Sequence, residues 1–110
     1  MFIIIHRQHG RVAAADSVYL YNQLKVNFPD EVIEWDQIRR KFNIRDITIL
    51  FYFGDVYKMS GIKTDYYNCD SHLACDYCKT RVRSNIEYDP ELQTFSDVLG
   101  IIRKEIEKND

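Results

Sequence analysis

Short β-branched runs and longer stretches with helical spacing alternate along the first half of the chain. Residues 2–5 (Phe-Ile-Ile-Ile) form an apolar run that is typical of a buried strand. A helix is then predicted, because apolar residues recur at intervals of three and four and share one face. These residues are Ala14, Val18, Tyr21, Leu24 and Phe28. Pro29 ends this helix.

The middle of the chain predicts two more strands. Residues 32–35 form the first, and Asp36 follows as the cap of a short helix that turns Ile38 and Phe42 inward. Residues 47–53 (Ile-Thr-Ile-Leu-Phe-Tyr-Phe) contain no charge and consist of β-branched, aromatic and leucine residues. They are therefore the strongest predicted strand.

The remaining local signals mark a turn and a final helix. Gly54-Asp55 indicates a turn, after which residues 56–59 alternate like a hairpin partner. Thr94 and Asp97 fit a capping box at the start of the last helix. The apolar stripe of that helix consists of Phe95, Val98, Ile101, Ile102 and Ile106.

Strands that alternate with helices predict an α/β fold, a small mixed sheet with flanking helices. The first two strands should be parallel, since a helix connects them. The chain has 110 residues, which is the size of one ordinary domain. We therefore expect a single α/β domain over residues 1–110, with a polar, Tyr- and Cys-rich insertion at about 62–90.

Charge and hydropathy exclude several classes of protein. The chain carries 15 basic and 17 acidic residues, a net charge of -2. A domain dedicated to duplex binding is usually much more basic, so nucleic acid is not the favoured partner. No apolar run approaches the ~20 residues that cross a bilayer, and the opening run is too short for a signal peptide. We expect a cytoplasmic protein without a membrane partner.

Residues 41–56 (KFNIRDITILFYFGDV) resemble the second helix, central strand and hairpin of the thioredoxin-like family. The resemblance covers residues 30–61 and extends to 1–29 only through the order of the elements. The Cys-x-x-Cys that this family carries after its first strand is replaced by Arg-Gln-His-Gly-Arg at residues 7–11, and its cis-proline is missing. The resemblance implies a redox-inactive relative, and such relatives usually serve as binding modules.

Two rival resemblances stay open. Residues 2–38 are similar to the first half of a bacterial TIR domain, whose sheet is flavodoxin-like and needs a longer chain. Residues 33–62 are similar to a winged helix, with Leu50 and Phe53 on its recognition helix. The second alternative would make the protein a winged-helix nucleic-acid-binding regulator.

The Cys-rich insertion contains four candidate metal ligands, each three residues after the last. These are Cys69, His72, Cys75 and Cys78. Thiolates and a neutral imidazole suit zinc, and an iron–sulfur cluster is the less favoured alternative. On a continuous helix the first and last ligand would lie about 13 Å apart. A metal site therefore needs a looped backbone or a distant fourth ligand such as His6 or His9.

The same cysteines allow two other interpretations. They can remain free thiols, or Cys78 can form a reversible disulfide with Cys75 or with Cys69. The disulfide would make the protein a dithiol oxidoreductase with Cys75 and Cys78 as its redox pair. No complete set of nucleophile, base and orienting group is visible, so catalysis is not favoured.

The loop after the first strand is a candidate ligand or anion site, formed by Arg7, His9, Gly10 and Arg11. In α/β sheets ligands bind beyond the carboxyl ends of the strands, and a helix N-terminus favours an anion. Such a site would bind a nucleotide or another phosphate ligand. The alternative is a solvated loop in which Arg7 pairs with a nearby carboxylate and His6 caps the sheet edge.

These patterns together favour a non-catalytic protein-binding or regulatory module whose partner is another protein. Tyrosine is abundant in the second half of the chain and is enriched at protein interfaces. The insertion at about 62–90 would be its distinctive surface, and the metal site is one of the three interpretations that could hold it.

Overall fold

The computed structural model describes residues 1–7, 9–53, 65–69 and 94–110. That part of the chain contains five strands and two helices. The strands are β1 (Phe2–His6), β2 (Ile33–Asp36), β3 (Lys41–Ile44), β4 (Ile47–Tyr52) and β5 (Tyr66–Cys69). The helices are α1 (Gly10–Asn27) and α2 (Phe95–Lys108).

The strands form one mixed sheet in the order β2-β3-β4-β1-β5. β1 pairs in parallel with β4 on one side and with β5 on the other. β2, β3 and β4 form an antiparallel meander. The predicted α/β class is confirmed, and the uncharged run predicted as the strongest strand is β4, which lies beside β1. β2 points in the same direction as β1, although β3 and β4 separate the two.

Both helices pack on one face of the sheet. Successive side chains of a strand point to opposite faces, so Ile3 and Ile5 share a face that Ile4 and His6 do not. The core on the helix face is formed from three groups of side chains. It contains Ile3, Ile5, Ile47, Ile49 and Phe51 from β1 and β4, Phe42 and Ile44 from β3, and Leu20, Leu24, Val98, Ile102 and Ile106 from the helices.

The short helix predicted after Asp36 is wrong. The Asp36 carboxylate accepts hydrogen bonds from the backbone nitrogens of Ile38 and Arg39, at 3.1 and 3.0 Å, which closes a turn. Asp is a strong turn former for this reason. The chain then enters β3, where Phe42 is buried as a strand residue. The helix that the thioredoxin-like resemblance implies before the central strand is therefore replaced by a strand.

The sheet also overturns the two rival resemblances. A winged helix requires helices where the structure has β3 and β4, and Leu50 lies in β4. A flavodoxin-like sheet is parallel, whereas β2, β3 and β4 are antiparallel.

The predicted inner face of α1 is confirmed at Leu24 and Phe28, which are buried, and at Tyr21, which packs against the core. It is wrong at Val18, which is exposed, and the structure buries Ala13, Ser17 and Leu20 instead. Apolar residues lie on more than one side of this helix, so their spacing was compatible with more than one inner face. Several apolar residues that do not face the core are left on the surface.

The capping box of α2 is confirmed. The Thr94 hydroxyl accepts a hydrogen bond from the Asp97 nitrogen, and the Asp97 carboxylate accepts one from the Thr94 nitrogen at 2.8 Å. Val98, Ile102 and Ile106 of the predicted stripe are buried. The hairpin predicted at 54–59 lies outside the described residues. β5 was not predicted, and it lies within the segment assigned to the insertion at about 62–90.

Candidate functional site

The carboxyl ends of three parallel strands meet at one edge of the sheet. His6 ends β1 and pairs in register with Tyr52 of β4 and Cys69 of β5. Helix α1 begins at Gly10, shortly after β1. This edge is where α/β sheets usually bind their ligands, so the fold places the candidate loop and the first candidate metal ligand together.

A thiol and an imidazole are in contact on the face of the sheet opposite the helices. The Cys69 Sγ lies 3.6 Å from the His6 Nδ1. His6 is 1% and Cys69 8% exposed, and the Tyr52 ring centroid lies 6.1 Å from that of His6. This distance suits a thiol–imidazole hydrogen bond, and it also suits two ligands of one metal ion.

The other predicted metal ligands, His72, Cys75 and Cys78, lie outside the described residues. Among the residues that the structure describes, no three His, Cys, Asp or Glu side chains are grouped so that they could hold a metal ion. Cys69 itself is buried in β5. The zinc site therefore stays a prediction, and so do the iron–sulfur alternative and the redox pair.

Arg7 is buried on the helix face of the sheet. Its Nε donates to the Asp16 carboxylate at 2.7 Å, and its Nη1 donates to the His6 carbonyl at 3.1 Å. Its guanidinium carbon also lies 5.6 Å from the centroid of the Phe95 ring. Arg7 thus pairs with a carboxylate. This pairing is the one predicted by the alternative to an anion site.

The other residues of the predicted anion site have separate surroundings. The His9 Nδ1 accepts a hydrogen bond from the Arg11 nitrogen at 3.3 Å, so His9 caps α1. A Cβ at Gly10 would lie 3.0 Å from the ring of Phe53, so a larger residue there requires a small shift of that ring. The Arg11 side chain is exposed on the helix, whereas the charge of Arg7 is balanced inside the protein.

The outer face of α1 is rich in apolar side chains. Eight residues of this helix are exposed, and five of them are apolar or aromatic: Val12, Ala15, Val18, Tyr19 and Val26. The other three are Arg11, Asn22 and Lys25, so two are basic and one is an uncharged amide. We call these eight residues the α1 surface. The exposed residues of α2, in contrast, are polar, charged or glycine.

The α1 surface is not evident from the helical spacing, because that spacing places Val18 on the inner face. The signal that could have revealed it is the excess of apolar residues in this helix. An inner stripe can cover only one side of a helix, so the apolar residues that lie beyond that stripe must be exposed.

Comparison of the chain with protein-family models, with curated proteins and with solved structures gave no match. Within the described part of the chain, neither helix combines the length and the apolar character that crossing a bilayer requires. Two regions therefore bear on function: the α1 surface, and the carboxyl edge that carries His6 and Cys69.

Proposed function

We propose that this chain is a non-catalytic protein-binding module, and that the α1 surface docks an amphipathic helix of a partner protein. The observation that carries the proposal is the composition of that surface, five apolar or aromatic side chains of eight with no acidic residue. A surface helix ordinarily turns polar residues outward. Tyr19 is 52% and Val26 75% exposed, so this face is open to a partner.

The spacing on this surface favours a helix as the partner. Residues 12, 15, 19, 22 and 26 follow one another at intervals of three, four, three and four. This is the spacing of the seam along which two helices pack knobs into holes. A helix laid along such a seam is a common mode of peptide recognition. We therefore call residues 12, 15, 19, 22 and 26 the α1 seam.

Two members of the α1 seam suit recognition in different ways. Tyr19 offers a large contact area with few rotatable bonds, which lowers the entropy lost on binding. Asn22 is the one polar residue of the seam. A single polar residue in such a seam fixes the register of the two helices at some cost in affinity. The partner helix should therefore carry a polar residue opposite Asn22.

The charges beside the seam favour an acidic partner rather than a second copy. Arg11, Val18 and Lys25 form a row at intervals of seven residues, and the charges in this row are both basic. Flanking charges of this kind set the choice of partner. Two copies packed antiparallel along this face would bring these basic groups together, whereas a helix with Glu or Asp beside its seam would be complementary.

The first experiment measures binding of two labelled helical peptides by fluorescence anisotropy. Both peptides carry leucine along the seam and one asparagine to face Asn22, and the flanking positions are glutamate in one and lysine in the other. We expect the acidic peptide to bind at least tenfold more tightly, because only it complements Arg11 and Lys25.

Variants of the chain then locate the binding face. Tyr19→Ala should weaken binding of the acidic peptide by about tenfold, the size of an interface hot-spot effect. Tyr19 also stacks on Phe95, so Val26→Ala is a second variant whose side chain is 75% exposed, and it should weaken binding by about threefold. Ile38→Ala is the matched control, because Ile38 is 96% exposed but lies outside α1.

Three results would contradict this assignment. Equal binding of the two peptides would show that the α1 surface does not prefer an acidic partner. Self-association that Val26→Ala disrupts, measured by sedimentation, would make a second copy the occupant. Binding to phosphatidylserine vesicles with no peptide affinity would make the α1 surface a membrane-contact face.

The binding role agrees with the one that the thioredoxin-like resemblance implies, but its support is the α1 surface. The proposal also includes a zinc ion bound by the Cys-rich insertion at about 62–90, with Cys69, His72, Cys75 and Cys78 as the predicted ligands. The contact between Cys69 and His6 supports it. The alternative of a phosphate-ligand site at residues 7–11 has less support, since Arg7 already pairs with Asp16. The dithiol oxidoreductase stays an alternative, because Cys75 and Cys78 lie outside the described residues.

A further inference from the structure

We infer that β2 is a second interaction site, where an extended segment of a partner protein with Lys or Arg at alternate positions adds to the open edge of the sheet. The inference goes beyond the proposed function, since it concerns the sheet rather than the α1 surface. In the described part of the chain, β2 ends the sheet and pairs only with β3. Strand addition at such an edge is a common mode of peptide recognition.

The register of the β3–β4 hairpin indicates which peptide groups of β3 face β2. The Phe51 nitrogen donates to the Arg40 carbonyl at 3.0 Å, so these two residues form a hydrogen-bonded pair. They stand one step beyond the pair of Lys41 with Leu50. Hydrogen-bonded and non-hydrogen-bonded pairs alternate along an antiparallel ladder. The peptide groups of Lys41 and Asn43 therefore face away from β4, toward β2.

The same alternation leaves two residues of β2 with free peptide groups. The partners of Lys41 and Asn43 on β2 are Asp36 and Glu34, whose peptide groups therefore face β3. The N–H and C=O groups of Ile33 and Trp35 point away from the sheet. Among the described residues, neither takes part in a backbone hydrogen bond outside the ladder. Unpaired groups of this kind are a template for an added strand.

The helix face of the sheet holds this edge in place. The Trp35 ring stacks on the Tyr21 ring of α1, with the centroids 4.4 Å apart, and on the Phe42 ring of β3, with the centroids 5.6 Å apart. Ile33 and Trp35 both pack against the hydrophobic core. A strand that is ordered before binding reduces the entropy lost when a partner adds to it.

The exposed side chains of β2 are those of Glu34 and Asp36. Asp36 lies opposite Lys41, and its carboxylate closes the turn that follows. Glu34 lies opposite Asn43, whose amide oxygen accepts a hydrogen bond from the Thr48 hydroxyl at 2.9 Å. Among the described residues, Glu34 forms no ion pair. Its charge is therefore available to a basic side chain on an added strand.

Charge favours a basic partner over a second copy at this edge. In the two antiparallel registers that join three residues of each β2 strand, Glu34 lies opposite either its own counterpart or Asp36 of the second copy. Like charges directly opposite each other are destabilising, whereas Lys or Arg at that position forms a favourable cross-strand pair. Val32, which precedes β2 and is 77% exposed, adds apolar surface for a partner segment longer than the strand.

The first experiment measures binding of two labelled extended peptides to the full chain by fluorescence anisotropy. Both peptides alternate valine with a charged residue, which is lysine in one and glutamate in the other. We expect the lysine peptide to bind at least about fivefold more tightly, because its charges lie opposite the acidic side chains of β2. Glu34→Lys should reverse this preference. Glu107→Lys is the matched control, since it makes the same charge change at an exposed position of α2 and should leave the preference intact.

A second measurement locates the bound strand without altering the protein. The lysine peptide should slow hydrogen exchange of the Ile33 and Trp35 amides by at least about tenfold, because an added strand pairs with them. Only every second amide of an added strand faces its neighbour. N-methylation of one alternate set of peptide amides should therefore abolish binding, and methylation of the other set should not.

Three results would overturn the inference. The first is equal binding of the lysine and glutamate peptides by the wild type, and the second is unchanged exchange at Trp35. The third is self-association, seen by sedimentation, that slows exchange at Ile33 and Trp35 without peptide, which would make a second copy the occupant. Slowed exchange along α1 instead of β2 belongs to the second result, since it would place the peptide on the α1 surface.

Discussion

His6 and Arg7 are neighbours in the chain, but they serve opposite faces of the sheet. The alternation of side chains along β1 places Arg7 on the helix face, where its guanidinium pairs with Asp16 and lies over the Phe95 ring. It sends His6 to the other face, against Cys69. A buried guanidinium is tolerated here because a carboxylate compensates for the water that it loses. The charge of Arg7 therefore belongs to the fold rather than to an anion site.

Removal of Asp16 should destabilise the protein far more than removal of an exposed ion pair. Asp16→Ala removes the carboxylate that pairs with the buried Arg7 guanidinium, and we expect a loss of about 2–3 kcal/mol in the free energy of unfolding. Arg39→Ala is the control, since the pair of Arg39 with Asp36 is exposed and should contribute less than about 1 kcal/mol. Urea unfolding of both variants measures the difference. Equal losses would show that the Arg7 pair adds no more than a surface contact.

Helix α1 is the element whose orientation and function are most closely linked. Its inner face packs Leu20 and Leu24 against the sheet, and its outer face carries the α1 surface. The predicted and observed inner faces share Leu24 and Phe28 and differ at Val18, which is exposed. The orientation of the helix decides which apolar residues are available to contact a partner.

Alanine substitutions on the two faces of α1 should have opposite consequences. Leu20→Ala removes a fully buried side chain and should cost about 2–5 kcal/mol of unfolding free energy. Val18→Ala removes an exposed side chain and should change stability by less than about 0.5 kcal/mol. Chemical denaturation of the two variants tests this directly. A larger loss for Val18→Ala would mean that the originally predicted face is the inner one.

At the scale of the whole molecule, Arg45 joins three separate parts of the chain. It lies in the turn between β3 and β4, with a left-handed φ of 53°. Its guanidinium donates to Glu31, which follows α1, at 2.6 and 3.0 Å and to Asp110, which follows α2, at 2.8 Å. The Glu31 and then the Asp110 hydrogen bonds raise the pKa of Arg45 further above its usual range.

Arg45→Ala should release the C-terminal turn of α2 before it affects the rest of the fold. We expect hydrogen exchange of the amides near residues 106–110 to accelerate by at least about threefold, since local contacts set local opening. High salt should reduce the difference, because exposed charges are screened. Lys104→Ala, an exposed α2 variant, is the control. Uniform acceleration over both helices would indicate global destabilisation instead.

Local signals in the sequence were sufficient for most individual elements. The apolar runs of β1 and β4 predict strands because β-branched and aromatic residues pack well on a pleated surface. The Thr94–Asp97 box predicts the start of α2 because its hydrogen bonds span only three residues. Asp36 predicts a helix cap, but its carboxylate closes a turn instead. Phe42 then pairs across the sheet with Trp35, so the residues after this turn form a strand rather than a helix.

The candidate site depended on contacts that local spacing does not encode. Cys69 and His6 are 63 residues apart, and the parallel pairing of β1 with β5 is what brings them together. The sequence by itself determined the α/β class, the strand at residues 47–52 and the cap of α2, since each depends on neighbouring residues. Only the tertiary structure decided which face of α1 is buried and which strand lies beside His6, because both result from packing between distant parts of the chain.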